Sequence, residues 1–522
     1  MKKNTIIIAL AGILVGAAAT FALQHVAGNR RMHKTEYQDW RKLNLILQCV
    51  DENYVDTVDR EKVTDAAVKA ALAALDPHTI YLEPQSLKDS EDDLAGQFEG
   101  IGIQFNVPND TAIVLEVIPG GPSEKVGLRQ GDRLLKVDDK VIAGVKFPQD
   151  SMVRRMKGPS GTKVNITVKR GDETIPFEIT RGKIPTWSVD AHFMVNDTTG
   201  YIRLAKFART SINEVLKAGT ELAAAGMTHM ILDLRDNSGG LLDQALAISD
   251  LFLPKGAPIV YMEGLHRKRE DFSASGKGIF QDMGLTLLIN ETSASSSEIV
   301  AGAIQDNDRG VLVGRRSFGK GLVQEPLFFT DGSGIRVTVA RFHTPSGRCI
   351  QKPYADDYGI EVYERYDTGE MTDADSIKID RSVEYKTAGG RVVYGGGGII
   401  PDVFVPVDTT KAGEFYIGCN RKATTMRFAS AFFDAHKSQL GSIDDYQELE
   451  NYLEGANLEE GFLAFARDKD GLQPADGEWA IDKPYMMTQV KALVGRYSRL
   501  GDEAFYHIYL EIDEVFKKAL TL

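Results

Sequence analysis

The chain has 522 residues, 43% of them hydrophobic and 26% charged, which is long enough for three or four domains with buried cores. Its net charge of −13 argues against a general nucleic-acid-binding protein, because such proteins need a basic face to displace counterions. The cysteines, Cys49, Cys349 and Cys419, are too few for a disulfide framework and too scattered for a zinc site. We therefore expect free or buried thiols, no metal and no other cofactor.

An export signal is predicted over residues 1–32. Lys2 and Lys3 precede an uncharged, mostly apolar run at residues 6–23, and basic residues follow it. This run reaches the lower length limit for a membrane-spanning helix, whereas Ala17-Ala18-Ala19 supplies the small residues that signal cleavage requires. A retained anchor in the inner membrane and a cleaved signal both stay open. In either case we expect the body of the protein outside the cytoplasm, in the periplasm.

Two regions of different periodicity follow the signal. From Tyr37 to about Leu94 apolar residues recur at helical spacing, with an interruption at Asp76-Pro77, which predicts a helical N-terminal region over 33–95. Between Gly100 and Arg181 apolar and polar residues alternate in short runs between Gly-rich turns. This alternation predicts a compact β domain over 96–182.

The next region, 183–408, alternates strand-like and helical runs, which predicts an α/β core. The strand-like runs are at 230–234, 286–289 and 311–313, and the helical runs are at 212–225, 241–251 and 296–305. Residues 354–398 look like a polar, tyrosine-rich insertion into this core. The acidic tail, 409–522, is predicted to be helical, and neither the insertion nor the tail indicates a role.

The segment from Asn290 to Gln324 is the most informative. Small residues at 293–296 lie where a predicted strand gives way to a predicted helix, which exposes a side chain and directs free main-chain N–H groups toward one point. Taken alone, this run has a simpler interpretation as a helix N-cap. A serine followed three residues later by a glutamate, here Glu298, is the pattern of a capping box.

Other motifs in the sequence favour a catalytic interpretation of this segment. The strand that ends in Asp233-Leu234-Arg235, the following Gly239-Gly240, the serine turn and Gly319-Lys320-Gly321 closely resemble the C-terminal processing peptidases, also called tail-specific proteases. The resemblance implies a nucleophile at Ser295, a general base at Lys320 and a lysine-orienting glutamine at Gln324. The chain departs from the usual motif by Ser296, where alanine is common, and this change keeps the main-chain N–H.

These residue types suit the chemistry of peptide-bond cleavage. A serine hydroxyl needs a neighbour that accepts its proton, and a lysine amine does so only when it is neutral. The dyad therefore requires surroundings that lower the pKa of Lys320 and no carboxylate in contact with its amine, and Gln324 accepts a hydrogen bond without adding charge. The oxyanion donors are assigned to the N–H of Ser296 and that of Gly239 or Gly240, between which the sequence does not decide.

Alternatives to this dyad remain. A Ser-His-Asp triad has histidines available, but no G-x-S-x-G turn is present. Those histidines are His192, His229, His266 and His343. Asp233 and Arg235 either orient a loop or form a strand-end ion pair.

The β domain has its own binding motif. Residues 97–103 resemble the carboxylate-binding loop of the family's PDZ domain, and residues 126–134 resemble its second signature. We expect Gly100, Ile101, Gly102 and Ile103 to bind a peptide, whose terminal carboxylate would meet main-chain N–H groups and whose last side chain would enter an apolar pocket. The alternation also places Ile101, Ile103 and Phe105 on one face of a strand, and an ordinary sandwich strand is the simpler alternative.

The resemblance implies a multidomain α+β fold with a helical N-terminal region, a PDZ domain, an α/β serine-protease core and a helical C-terminal tail. It implies an exported serine endopeptidase whose substrates are proteins or peptides with free, apolar C-termini. A non-catalytic PDZ scaffold or adaptor-binding module on the same fold is the alternative, against which Ser295, Lys320 and Gln324 argue together. An adaptor-gated protease is a third hypothesis, and we expect a homo-oligomer formed through the helical ends.

Overall fold

The computed structural model describes residues 38–107, 110–354, 358–409 and 413–522, so the predicted export signal lies outside the described residues. The chain divides into two compact units, residues 1–81 and 82–522. The described helices of the first unit are α1 (Gln38–Asn53) and α2 (Arg60–Ala73), which confirms its helical character, and strand β1 (Ile80–Leu82) lies at the division. Within the described ranges, no helix is long and apolar enough to cross a bilayer.

The predicted β domain follows helix α3 (Pro84–Ala95) in the second unit. Its strands are β2 (Gln97–Gly100), β3 (Ile103–Asn106), β4 (Ala112–Val117), β5 (Arg133–Val137), β6 (Lys140–Val141), β7 (Lys163–Arg170), β8 (Glu173–Thr180) and β9 (Gly182–Pro185). Helices α4 (Pro122–Lys125) and α5 (Gln149–Met156) connect them. The antiparallel order is β3-β4-β5-β7-β8, with β6 on β5, and β2 pairs with β9. Strand β3 is thus at the edge of its sheet.

The predicted alternation of strands and helices is confirmed in the core. Its strands are β10 (Val189–Met194), β11 (Thr199–Leu204), β12 (His229–Asp233), β13 (Pro258–Gly264), β14 (Arg267–Ser273), β15 (Gly284–Ile289), β16 (Val311–Gly314), β17 (Leu322–Phe328) and β18 (Gly334–His343). Its helices are α6 (Ser211–Ala224), α7 (Leu242–Asp250) and α8 (Ser296–Asp306).

The insertion contains a short helix, α9 (Glu361–Asp367), and a 3₁₀ turn (Ala374–Ser376). A two-stranded ribbon of β19 (Tyr385–Lys386) and β20 (Val392–Val393) follows. The chain then returns to the core as strand β21 (Val403–Phe404).

The central sheet has the order β10-β11-β12-β15-β16-β21 and is parallel from β11 onward. Strands β12 and β15 are buried almost throughout, as expected for parallel strands covered on both faces. Because parallel strands end at the same edge of a sheet, the segments after β12, β15 and β16 come together. A second, antiparallel sheet joins β17 to β18, β18 to β13 and β13 to β14.

The tail is helical, as predicted. Its helices are α10 (Glu414–Arg421), α11 (Thr424–Ala435), α12 (Lys437–Leu440), α13 (Tyr446–Gly455), α14 (Leu458–Phe465), α15 (Glu478–Tyr497), α16 (Gly501–Tyr509) and α17 (Glu514–Ala519). Most of them share one apolar core, while Val515 and Phe516 of α17 pack on the central sheet against Tyr201 and Ile231. The tail also touches the β domain, where the Gln130 amide donates to the Tyr497 carbonyl at 2.6 Å.

Candidate active site

Three neighbouring strand ends carry most of the residues predicted for catalysis. The segment after β12 contains Gly239 and Gly240, the segment after β15 contains Ser295, and the segment after β16 contains Lys320. Main-chain hydrogen bonds join these segments to one another, from the Ala294 N–H to the Asn237 carbonyl and from the Phe318 N–H to the Ser293 carbonyl, both at 3.0 Å. The topology therefore brings the predicted residues to one place.

The four serines of the turn after β15 have different surroundings. Ser293, Ser296 and Ser297 are buried, and their hydroxyls donate to main-chain carbonyls of the segment after β12 at 2.8, 3.0 and 2.8 Å. Ser295 is the partly exposed member of the set. Of the four hydroxyls, that of Ser295 is the one best placed to meet a substrate.

The main chain of Ser295 is strained. Its φ of +53° and ψ of −111° lie outside the regions that residues with a side chain usually adopt, at a cost of about 1–3 kcal/mol. Gly239 packs directly against it, because a Cβ at position 239 would lie 2.8 Å from the Ser295 Cβ and 2.8 Å from the Ala294 carbonyl oxygen. This close approach requires glycine at position 239.

Glu298 holds the serine turn and the lysine segment together. Its buried carboxylate accepts four hydrogen bonds, with Oε2 receiving the N–H groups of Ser295 at 2.9 Å and Lys320 at 2.8 Å. Oε1 receives the Gly319 N–H at 2.7 Å and the Ser317 hydroxyl at 2.5 Å. Burial raises the pKa of Glu298, although the four donors act in the opposite direction.

The spacing of serine and glutamate predicts Glu298 only as part of a helix cap. The Ser295 N–H bond is one half of that predicted capping box, so the local interpretation is correct as far as it goes. It misses the bonds to residues 317, 319 and 320, which belong to a segment about twenty residues further along the chain. The spacing of serine and glutamate was the available signal, and it does not reveal the second set of partners.

Lys320 is half-buried between β16 and β17. The segment before it is fixed at Ser317, whose N–H donates to the Ile399 carbonyl, and at Gly319, whose carbonyl accepts the Lys352 N–H, both at 3.0 Å. Gln324 lies in β17, opposite Thr338 of β18. Lys320 and Gln324 are therefore held at the start of one strand of the second sheet.

The two candidate oxyanion glycines differ in their hydrogen bonds. The Gly239 N–H donates to the Asn237 side chain at 2.9 Å. Within the described parts of the chain, the N–H groups of Gly240 and Ser296 have no protein acceptor, and the Ser296 hydroxyl links the two residues by donating to the Gly240 carbonyl. This difference favours Gly240 over Gly239 as the partner of Ser296.

Asp233 and Arg235 form the strand-end ion pair that the sequence offered as one of two alternatives. Arg235 donates to Asp233 at 2.6 Å, and both side chains are nearly inaccessible. Burial by itself raises the pKa of Asp233, but the charge and hydrogen bonds of Arg235 outweigh it and hold that pKa below its usual value. Arg235 also donates to Asp513 of the tail at 2.6 Å, a contact that sequence reasoning did not find.

Three of the four histidines considered for a triad have other partners, and His266 is exposed in the turn between β13 and β14. His192 contacts Glu221 and His229 contacts Thr286, while His343 stacks on a tyrosine ring. His229 begins β12, at the end of the strand opposite the glycines. Among the described residues, no hydrogen bond joins a histidine to Ser295, and no cluster of His, Cys, Asp and Glu is arranged to hold a metal ion.

The predicted peptide-binding loop, Gly100–Ile103, connects β2 to β3. Gly102 has a φ of +75°, and a Cβ there would lie 2.9 Å from the Ile184 side chain, so the turn requires glycine. The outer edge of β3 has no partner strand in the described structure. An unpaired strand edge is the kind of surface to which an extended peptide adds as a further strand.

The prediction that Ile101, Ile103 and Phe105 share one face of a strand is wrong in part. Ile101 precedes β3, since the chain bends at Gly102, and a bulge falls between Gln104 and Phe105. The alternation of apolar and polar residues gives no sign of the bend or of the bulge. All three apolar side chains still join the cluster that includes the methionines of α5, which line the same domain core.

Comparisons with known proteins match both parts of this arrangement. A family model described as peptidase family S41 matches residues 198–361, and one described as PDZ domain matches residues 100–180. A carboxy-terminal-processing protease of Bartonella bacilliformis is 34% identical over 355 residues, which is 66% of this chain and 80% of that protein.

Two further proteins are similar over comparable lengths. A CtpA-like serine protease of Staphylococcus aureus is 32% identical over 343 residues, covering 65% of this chain and 68% of that protein. The solved structure of a photosystem II D1 C-terminal processing protease is 27% identical, with a TM-score of 0.35, and the match covers 69% of this chain and 91% of that one.

Proposed function

The chain belongs to peptidase family S41 as a serine-type C-terminal processing protease with a PDZ domain, and from this premise we propose that it cleaves peptide bonds with a Ser295/Lys320 dyad. The shared bond of the Ser295 and Lys320 N–H groups to Glu298 Oε2 supports this assignment most directly. It holds the main chains of the two residues in a fixed relation across two separate segments.

In the proposed reaction the Ser295 oxygen attacks the substrate carbonyl carbon while the neutral Lys320 amine takes the hydroxyl proton. The tetrahedral intermediate collapses to an acyl-enzyme ester when the protonated lysine gives that proton to the leaving amine. Water, deprotonated by the same amine, then hydrolyses the ester and restores the serine. Gln324 orients the lysine without adding charge, and base catalysis of this kind contributes about 10²- to 10⁴-fold.

We assign the oxyanion donors to the N–H groups of Ser296 and Gly240. Ser296 follows Ser295 directly, the Ser296 hydroxyl donates to the Gly240 carbonyl at 3.0 Å, and the Gly239 N–H already donates to the Asn237 side chain. The start of α8 adds the positive end of a helix dipole at the same place, where negative charge develops on the substrate oxygen.

Substrates are proposed to be proteins or peptides with free, apolar C-termini. The unpaired edge of β3 offers a strand for the substrate to extend, and the loop Gly100–Ile103 precedes that edge, where its N–H groups would bind the terminal carboxylate. Met152 and Met156 of α5 pack in the same apolar cluster as Ile101. That cluster suits a pocket for the last apolar side chain.

The location and assembly of the protein are part of the proposal. The basic and apolar pattern of residues 2–34 supports export to the periplasm, with either a cleaved signal or an anchor. We also propose a homo-oligomer, because α2 buries none of its side chains and α1 exposes several large apolar residues. An adaptor protein is an optional further partner.

The test is binding and cleavage of an unfolded reporter ending in an apolar residue, as free acid, as amide and with a final aspartate. The Ser295→Ala protein should bind the acid about ten- to a hundredfold more tightly than the amide, since one charge-assisted contact is lost. Wild type should cleave the acid and Ser295→Ala should not. Equal binding of acid and amide would contradict the carboxylate loop, and binding without any cleavage by wild type would favour a scaffold.

A further inference from the structure

A buried arginine from the insertion binds the main chain of the lysine segment. Arg365, in α9, is 2% exposed and donates to three consecutive carbonyls, those of Arg316, Ser317 and Phe318, at 3.3, 3.0 and 3.1 Å. These residues immediately precede Gly319 and Lys320. The insertion, which had no predicted role, thus reaches the segment that carries the proposed general base.

Two glutamates of the insertion hold Arg365 in place. Glu361 accepts from it at 2.9 Å and Glu370 lies at 3.9 Å. Glu370 also pairs with Arg316 at 2.6 Å, and Glu361 pairs with Lys352 at 3.0 Å.

This network places three cations against two anions, and four of these five residues are at most 7% exposed. Buried charge is costly unless it is paired and hydrogen-bonded, and main-chain carbonyls meet the excess positive charge here. Those acceptors include the three bonded by Arg365, the Gly397 carbonyl bonded by Arg316 and the Tyr358 carbonyl bonded by Lys352.

The segment from Arg316 to Lys320 is therefore held from two sides by opposite charges. Its first three carbonyls accept from the Arg365 guanidinium, and its last two N–H groups donate to the Glu298 carboxylate. The Ser317 hydroxyl also donates to that carboxylate. A cation on the carbonyl side and an anion on the N–H side favour one orientation of these peptide groups.

We propose that Arg365 is a positioning residue that acts through the main chain of residues 316–320 to place Lys320 against Ser295. This inference rests on the proposed dyad. Arg365 itself does not touch the reacting atoms, and its effect is on where the lysine amine sits. Since a displacement of about 1 Å in a catalytic group lowers a rate by as much as about a hundredfold, loss of Arg365 should act on kcat more than on KM.

The test compares Arg365→Met, Arg365→Lys and Arg391→Met in the full chain. Arg391 is a control from the same insertion, because it pairs with Asp308 and Asp402 at 2.6 Å and makes no hydrogen bond to residues 316–320. The measurements are kcat and KM on the unfolded reporter, the pH dependence of kcat, and amide hydrogen exchange of residues 316–321 in a Ser295→Ala background. Thermal melts check folding.

We expect Arg365→Met to lower kcat about ten- to a hundredfold with KM within about threefold, and to speed exchange at Gly319 and Lys320. It should also shift the acid limb of the kcat profile, because the surroundings of the lysine amine change. Arg365→Lys should recover part of the loss, since one ammonium replaces only part of the guanidinium fork. Arg391→Met should stay within about twofold of wild type.

A folded Arg365→Met protein with wild-type kcat and wild-type exchange would overturn the inference, as would an equal loss in Arg391→Met. If Arg365→Met does not fold, kcat and amide exchange are measured on Arg365→Lys instead, and wild-type values of both would overturn the inference. Failure of the proposed dyad is seen separately, because Ser295→Ala or Lys320→Ala would then retain cleavage. The exchange measurement reports on the segment whether or not the dyad assignment holds.

Discussion

The main-chain N–H groups of Ser295 and Lys320 donate to the same oxygen, Glu298 Oε2, at 2.9 and 2.8 Å. Two segments that follow different strands are thereby fixed to one another by a single buried carboxylate. The relation concerns the main chains and does not involve the serine hydroxyl or the lysine amine.

Glu298→Gln should lower kcat/KM at least about tenfold. An amide offers one acceptor oxygen and turns an NH₂ group toward donors that now have no acceptor, which is costly in a buried site. The measurement is steady-state cleavage of the unfolded reporter, with circular dichroism to check the fold. Glu291→Gln is the control, since that buried carboxylate pairs with Arg315 instead. Wild-type kinetics in Glu298→Gln would contradict the role of the carboxylate.

Gly239→Ala should abolish cleavage while the protein still folds. The new methyl group would lie 2.8 Å from the Ser295 Cβ, so the serine turn must shift. Gly256→Ala separates this clash from the cost of a positive φ, because Gly256 has a φ of +81° and nothing within 4 Å of the added carbon. The prediction fails if both variants lose the same activity in a reporter assay.

The sequence predicts the strands of the core and the proposed catalytic residues, but not every local irregularity of the main chain. Buried parallel strands such as β12 and β15 consist mostly of apolar residues, and their order along the chain already predicts an α/β core. Ser295 and Lys320 followed from motifs that stay intact within short segments. The bend at Gly102 was missed because alternation of residue types carries no information on a single positive φ.

The contacts that support the site were not predictable in the same way. Arg235 meets Asp513 across 278 residues, and Arg365 meets the Ser317 carbonyl across 48. The acceptor in the second contact is a main-chain carbonyl. Every residue has one, so the residue type gives no sign of this contact. Such partners are found only when the fold is known.

Asp513→Asn should destabilise the protein. The substitution removes the charge opposite Arg235 but keeps a good helix cap for α17, whose Phe516 N–H now bonds to Asp513. Because Arg235 keeps its bond to Asp233, we expect a loss of about 1–3 kcal/mol in the free energy of unfolding rather than the full cost of an unpaired buried charge. Urea denaturation measures this loss.

The control for Asp513 is Glu514→Gln, at the next residue. Its ion pair with Lys517 is about half exposed, and such pairs contribute little. We expect a change within about 0.5 kcal/mol. Equal losses in the free energy of unfolding for the two substitutions would show that the contact between Asp513 and Arg235 stabilises the protein no more than an exposed ion pair does.

Asp190→Asn should stabilise the protein at neutral pH but not in acid. Burial raises the pKa of Asp190 to about 6, from 3.8 when unfolded, and the charge of Asp502 adds to this effect while Arg203, Arg496 and Lys206 oppose it. A raised carboxyl pKa gives a stability contribution that is complete below about pH 4 and is lost as the pH rises through about 6.

The asparagine has no charge to bury, so its advantage over wild type should appear between pH 4 and 6 and reach about 1–2 kcal/mol at pH 7.5, allowing for partial exposure of the carboxylate. Unfolding curves at pH 4, 6 and 7.5 measure this difference. A difference that does not change with pH would rule out the titration of Asp190 as its cause.

The most direct test of the Ser295/Lys320 dyad is kcat/KM of Lys320→Arg beside Lys320→Ala, with Ser293→Ala as the control from the same turn. Guanidinium keeps the positive charge and most of the length of lysine but stays protonated, so it cannot accept the serine proton. Lys320→Arg should be as inactive as Lys320→Ala, each at least about a thousandfold below wild type, while Ser293→Ala should keep cleavage whenever it folds. An arginine variant within about tenfold of wild type would contradict Lys320 as the general base.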